Sequence, residues 1–389
     1  MNAPTFTMAS AKMPDGPRIT AQAHAQPWRE WAEPALRDQW QKLAEGASTP
    51  NPFFEPWYLL PSLAAFDQAG DVQIVSVEIG GDLIGLMPLK PSRRYGRWPF
   101  PQLSAWLHAN AFLGAPLVRT GYEAMFWQAL LDWADAAPSV GQSLFLHLPA
   151  MPLDQPLTRI LFDLCNATGR TAGLVMREER ALLQSSLSPD QYLEAALPGK
   201  KRKELRRQHA RLTEQGQLAV DRRHDASDLA EWTEAFLALE RSGWKGRAGS
   251  AMASADETAT LFRNALGEAA RLGKLERLAL TLDGHPIAML VTFITAPGSF
   301  SYKTAFDESF ARFSPGVLLQ RENLALLQRE GVSWCDSCAA PDHPMIDSLW
   351  TERRAVGRIS VAIGGLIRRT LFKQLLALEL GRNPTGITR

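Results

Sequence analysis

Tyr302, Lys303 and Arg312, followed by Ser314-Pro315-Gly316, are the residues whose types and spacing most readily do chemistry in this chain. An aromatic, β-prone segment from Phe300 to Thr304 runs into a short polar turn, and an apolar-periodic helix opens at Pro315. Proline suits a first helical position, where its missing N–H would have had no partner. Gly316 removes a side chain where another group can approach the backbone closely. The free N–H groups of that first turn and the helix dipole make an anion site, to which Arg312 adds a full positive charge. Strand, phosphate-sized anion site and helix, in that order, hold nucleotide-like cofactors. The same order also occurs as a plain connection.

The elements that must position this segment read as alternating strands and helices. Val72–Ile79, a Gly80-Gly81-Asp82 turn and Leu83–Leu89 form one hairpin signal, and Leu275–Leu282, Asp283-Gly284 and Pro286–Ile294 form another. The two superimpose at an offset of 203 residues, which pairs Ile79 with Leu282, Gly81 with Gly284 and Ile84 with Ile287. A duplicated unit is expected. Helical periodicity marks Tyr122–Ala136, Pro156–Ala167, Asp228–Arg241 and Pro315–Glu330, the last closed by Gly331. Ser254-Ala255-Asp256-Glu257 has the form of a capping box opening a helix that ends near Gly273. Strand–helix alternation with internal hairpins predicts an α/β fold with mixed sheets.

Composition narrows the function classes. The 389 residues allow two or more domains. With 42 basic and 41 acidic residues the formal charge is +1, so nucleic acid or an acidic surface must be met by a local patch. Three cysteines cannot build a disulfide framework. Cys335 and Cys338 form a lone C-x-x-C, with His343 the one nearby extra ligand, and read as buried thiols at a strand end; no metal is expected. No stretch approaches a membrane span, and the location read from this is cytoplasmic. There is no G-x-S-x-G elbow, H-E-x-x-H pair or phosphate-loop motif.

Several separated motifs share one resemblance. Tyr302-Lys303-Thr304-Ala305-Phe306-Asp307 with Ser314-Pro315-Gly316, Glu240 to Arg247, Leu282 to Ala288, Asp336, His343-Pro344 and Asn51 to Leu59 resemble the GNAT-like acyltransferases of the cellulose-biosynthesis CelD type, relatives of the Fem-type aminoacyltransferases. The resemblance covers residues 50–360. It implies two GNAT-like lobes in tandem, and domains at 1–25 (a disordered tail), 26–185, 186–362 and 363–389 (a basic amphipathic helix and tail). It also implies acyl transfer from acetyl-CoA or another acyl-CoA to an amine or hydroxyl of a small molecule or cell-envelope precursor. Such transfer needs a clamped donor, a proton path and oxyanion stabilisation rather than a nucleophilic triad.

On this reading Arg312 and the backbone of Ser314, Pro315, Gly316, Val317 and Leu318 hold the donor's pyrophosphate. Asp336, at a strand end, is the expected general base or acceptor carboxylate, with a helix cap or turn role as its alternative. Tyr302 is expected to protonate the leaving thiolate, bind the acceptor or pack in the core. Strand alternation places Lys303 on the opposite face from Tyr302. Glu240, Trp244 and His343 are acceptor-binding candidates, or a helix end, a core residue and a loop residue. A departure from the family stands at Met345, where a lysine is common.

Two basic stretches point to partners. Lys200 to Arg211 carries seven basic residues against Glu204, over a thin stripe of Leu205 and Leu212. It reads as a solvated face, a phosphate binder or a contact for tRNA, which the Fem-type relatives use. Ile363 to Leu376 is a basic amphipathic helix that packs on the body or touches a membrane surface peripherally. A non-catalytic subunit of polysaccharide assembly is the rival from outside enzymes.

Overall fold

In chain order the computed structural model contains β1 (Gln22–Pro27), α1 (Pro34–Glu45), α2 (Pro56–Phe66), β2 (Gln73–Ile79), β3 (Asp82–Ser92), β4 (Gln102–Ala105), β5 (Leu117–Val118), α3 (Glu123–Ala136), β6 (Phe145–Pro152), α4 (Pro156–Ala167) and β7 (Ala172–Leu183). Then come α5 (Pro189–Ala196), α6 (Gly199–Thr213), β8 (Leu218–Arg223), α7 (Leu229–Ser242), α8 (Trp244–Arg247), α9 (Asp256–Arg271), β9 (Leu275–Leu282), β10 (His285–Thr295), β11 (Gly298–Phe306), α10 (Pro315–Asn323), β12 (Trp334–Asp336), β13 (Glu352–Ala362) and α11 (Leu366–Leu380). The structure describes residues 20–381 apart from 138, 139 and 141. The expected amino-terminal tail lies mostly outside these residues, and its last part is already in β1.

All the strands join one mixed sheet, in the order β1-β2-β3-β4-β6-β13-β7-β12-β11-β10-β9-β8, with β5 alongside β3. Each half runs through antiparallel strands to a parallel pair, β4 with β6 and β11 with β12. The two hairpins aligned in the sequence occupy matching places, β2–β3 and β9–β10. The halves then exchange their last strands. β13 pairs with β6, β7 pairs with β12, and the two cross side by side in the middle. A cut between residues 185 and 186 therefore separates the lobes along the chain but not in space.

Local sequence explains the helix starts. Proline opens α1, α2, α4, α5 and α10. Ser188 and Gln191 form a reciprocal capping box on α5. The box expected at Ser254 does not form: Ser254 lies in a 3-10 turn and Ala255 caps α9 without a side-chain bond. The helix expected to reach Glu330 ends at Asn323, and a 3-10 stretch, Leu324–Gln328, completes it. The larger core packs helices such as α2, α7 and α9 through Trp57, Phe236 and Phe262 against Phe293 and Tyr302. The second gathers Leu205 and Leu212 of α6 with Leu318 and Leu319 of α10.

Candidate active site

The parallel pair β11–β12 is bonded only from Gly298 to Phe300, opposite Trp334 to Asp336. Beyond that point the chains part, since β11 stays with β10 while residues 337–346 swing away. The gap is a cleft of about 580 Å³ whose walls include Lys303, Lys245, Trp244, Cys338, His343 and Met345. The amino-terminal lobe contributes Phe112 to it.

A bulge aims β11 into this cleft. Val291 pairs with Lys303 and Thr292 with Ser301, which leaves Tyr302 as the extra residue. Simple alternation would send Tyr302 and Lys303 to opposite faces, but the Lys303 ammonium lies 5.5 Å from the Tyr302 ring and 5.4 Å from that of Phe112. Lys303 Nζ donates to Asn110 Oδ1 at 2.7 Å. Burial, reinforced by the charge of Lys245, brings Lys303 down to about 8.

Tyr302 serves the lobe interface. Tyr58 donates its one hydroxyl proton to Asn110 O at 2.5 Å, so Tyr302 must be the donor in their 3.0 Å bond. Its ring stacks on Phe293 at 4.6 Å. The Tyr302 hydroxyl proton is thus engaged by Tyr58, while Tyr302 also lines the cleft. The Asn51 to Leu59 motif builds the same interface. Asn51 holds Leu113 O and Ala115 O at 3.1 and 2.7 Å, fixing the loop that carries Asn110 and Phe112. The buried Glu55 accepts from Trp57, Thr295 and Lys274, the last two in the other lobe.

Asp336, the expected general base or acceptor carboxylate, is held in a buried cluster with two arginines. Its carboxylate is fully buried, accepts from Arg180 at 2.7 Å and Arg354 at 2.9 Å, and takes the N–H of Cys338 at 2.9 Å. Burial alone would raise its pKa, but the two guanidiniums override it and hold the group below the usual carboxylate range. Such a carboxylate fixes β12 against the exchanged strands β7 and β13. It is not a wall of the cleft.

The turn expected to hold the donor's pyrophosphate is partly engaged within the chain itself. Ser314 adopts a left-handed conformation and caps α10. Val317 and Leu318 direct their N–H groups to Ser314 O at 3.0 and 3.1 Å, leaving Gly316 as the first-turn amide without a partner among the described residues. A Cβ on Gly316 would stand 2.6 Å from Met345 Sδ and 3.4 Å from Phe306 Cδ1. The group that approaches this backbone is Met345. Arg312 is exposed, lies over Phe313, and reaches Gln215 just beyond α6 at 3.5 Å.

The remaining candidates fall around the cleft. Trp244 is exposed on it, its backbone N–H bonded to Glu308 at 2.6 Å. Glu240 is buried behind it, bonded to Lys245 at 2.9 Å and to Met252 N at 2.7 Å, so it orients Lys245. His343 lines the cleft, and its Nδ1 has no partner among the described residues. Burial, then the charge of Lys245, hold its pKa below 6.5. Cys335 and Cys338 are free, and burial raises both thiols. Among the described residues no group of His, Cys, Asp and Glu could hold a metal ion.

Sequence reasoning missed Phe112 and Lys245 as cleft residues and Asn110 as the partner of Lys303. Only Lys245 had a signal, its place beside Trp244 in the Glu240 to Arg247 motif.

Residues 199–343 match the family described as the acetyltransferase (GNAT) domain. No curated protein matches the chain. The crystal structure of FemX shares the fold over 87% of this chain and 98% of its own, at 11% identity and TM-score 0.57. So does the carboxy-terminal domain of a putative lysylphosphatidylglycerol synthetase from Agrobacterium fabrum, over 88% and 95%, at 14% identity and TM-score 0.50. A conserved protein of unknown function from Bacteroides thetaiotaomicron matches over 85% and 97%, at 13% identity and TM-score 0.51. The chain is thus a mixed α/β protein of GNAT-type fold, in which residues 199–343 are similar to the acetyltransferase (GNAT) domain family.

Proposed function

We propose that this chain is an acyltransferase that takes an acyl group from an acyl-CoA thioester and gives it to an amine or hydroxyl of a small molecule or cell-envelope precursor. The carrying observation is the cleft beside the parted β11 and β12, which sets a cation, Lys303, and an uncharged imidazole, His343, around one space. In the reaction the acceptor nitrogen or oxygen attacks the thioester carbonyl, the C–S bond breaks, and the acceptor loses a proton. His343 takes that proton, and the Lys303 ammonium stabilises the negative charge that develops on oxygen and sulfur.

With acetyl-CoA as donor, the rate should rise with pH below 6.5 as His343 loses its proton. It should fall above about 8 as Lys303 loses its own. His343→Asn should remove the first limb and Lys303→Met the second. Absence of thermal stabilisation by acyl-CoA esters, or a profile that neither variant alters, refutes the reading.

A second reading, an aminoacyl-tRNA donor, draws on one observation. α6 exposes Lys200, Lys203, Arg206, Arg207 and Arg211, and the Arg312 turn packs beside its end. Sub-micromolar tRNA binding that falls steeply with salt and is lost in Arg206→Ala/Arg207→Ala would replace acyl-CoA with tRNA.

A further inference from the structure

α11 is fastened to the sheet on one side only. Phe372 and Leu376 are buried against Phe145 and Ala362. Arg368 donates to Val140 O and Ser143 O at 3.2 Å, and Arg369 to Asp135 at 2.6 Å. On the opposite side Ile367 and Leu378 are each 80% exposed, and Leu371 stands between them at 49%. At 100° per residue these three fall within an arc of about 40°. Leu366, at the first turn, is 85% exposed. The side of α11 that packs on the body is therefore distinct from the side that exposes aliphatic side chains.

Beside the last turn of α11 stands the loop between β3 and β4, tied there by Tyr95 Oη, which donates to Glu379 at 2.6 Å. This loop exposes Trp98, with Arg97 at 5.0 Å over its ring, and it exposes Arg93 and Arg94. None of the three arginines has an acidic partner among the described residues. Glu379 is the one acid of α11, and it is the group Tyr95 binds. A row of exposed aliphatic side chains, an exposed tryptophan and unpaired arginines complement an apolar boundary layer beneath negative headgroups.

We propose that α11 and the β3–β4 loop dock this protein on an anionic lipid bilayer, with α11 lying in the plane of the headgroups. Full-length protein should float with vesicles of phosphatidylcholine and phosphatidylglycerol, and not with phosphatidylcholine alone. Added salt should weaken the association. Arg94→Glu/Arg97→Glu should lower the partition coefficient by about tenfold or more, since each basic residue near such a surface attracts it appreciably. Ile367→Ser/Leu378→Ser should do the same through lost apolar burial, with melting unchanged because both side chains face solvent. Wild-type protein that stays with the soluble fraction overturns the proposal, as does vesicle binding that survives both variants. A dimer seen by light scattering, and dispersed by the apolar variant while vesicles are ignored, overturns it in favour of a second copy on this face.

Discussion

Lys303→Met tests the electrostatics of the cleft without assuming any substrate. The Lys303 ammonium sits between Phe112, Tyr302 and Asn110, and burial with the nearby Lys245 charge brings it down to about 8. In the unfolded chain a lysine titrates near 10.4. Between those values the unfolded chain binds a proton that the folded protein does not, so folding stability must rise with pH across the window. Below it the folded protein carries the whole cost of the buried charge, about 3 kcal/mol. Methionine fills a similar volume with no charge and removes that cost, but loses the bond to Asn110, a charged hydrogen bond of about 1.5–3 kcal/mol. At neutral pH the variant should thus be as stable as wild type or up to about 2 kcal/mol more stable, by the same two terms. Urea unfolding at steps from neutral pH to above 10 should show wild type gaining about 3 kcal/mol on the variant, other titrating groups cancelling in the difference. Parallel curves would refute the reasoning, and so would a variant that is much less stable at neutral pH.

Two further substitutions separate structure from chemistry. Asp336→Asn should destabilise the fold by about 3–5 kcal/mol, because two buried guanidiniums lose their common carboxylate. Any activity lost in it should follow the folded fraction, and loss of turnover in a protein of wild-type stability would return Asp336 to the mechanism. Gly316→Ala should cost about 1–3 kcal/mol by forcing its Cβ against Met345 Sδ, and Met345→Ala in the same chain should recover most of it. Additive losses in the double variant would show that Met345 does not set the limit there.

What the sequence made legible was what short-range chemistry decides. The aligned hairpins, the proline-opened helices and the aromatic strand ahead of Pro315 all depend on neighbours in the chain, and each stands where its residues put it. The exchange of β7 and β13 has no local signature, since backbone ladder bonds do not depend on which part of the chain supplies the partner strand. That exchange decides what Asp336 does. Arg180 arrives on β7 and Arg354 on β13, from 156 residues before it and 18 after, and a carboxylate at a strand end becomes a buried anchor only once both are present. Lys303 is the converse. Its lysine in a β-prone run was visible, but the bulge that turns it beside Tyr302 comes from pairing with β10, and Asn110 comes from the other lobe. The site residues that resist sequence reading are those whose surroundings are assembled across the lobe boundary, which is why Lys303, and not Asp336, is the group whose charge is worth measuring.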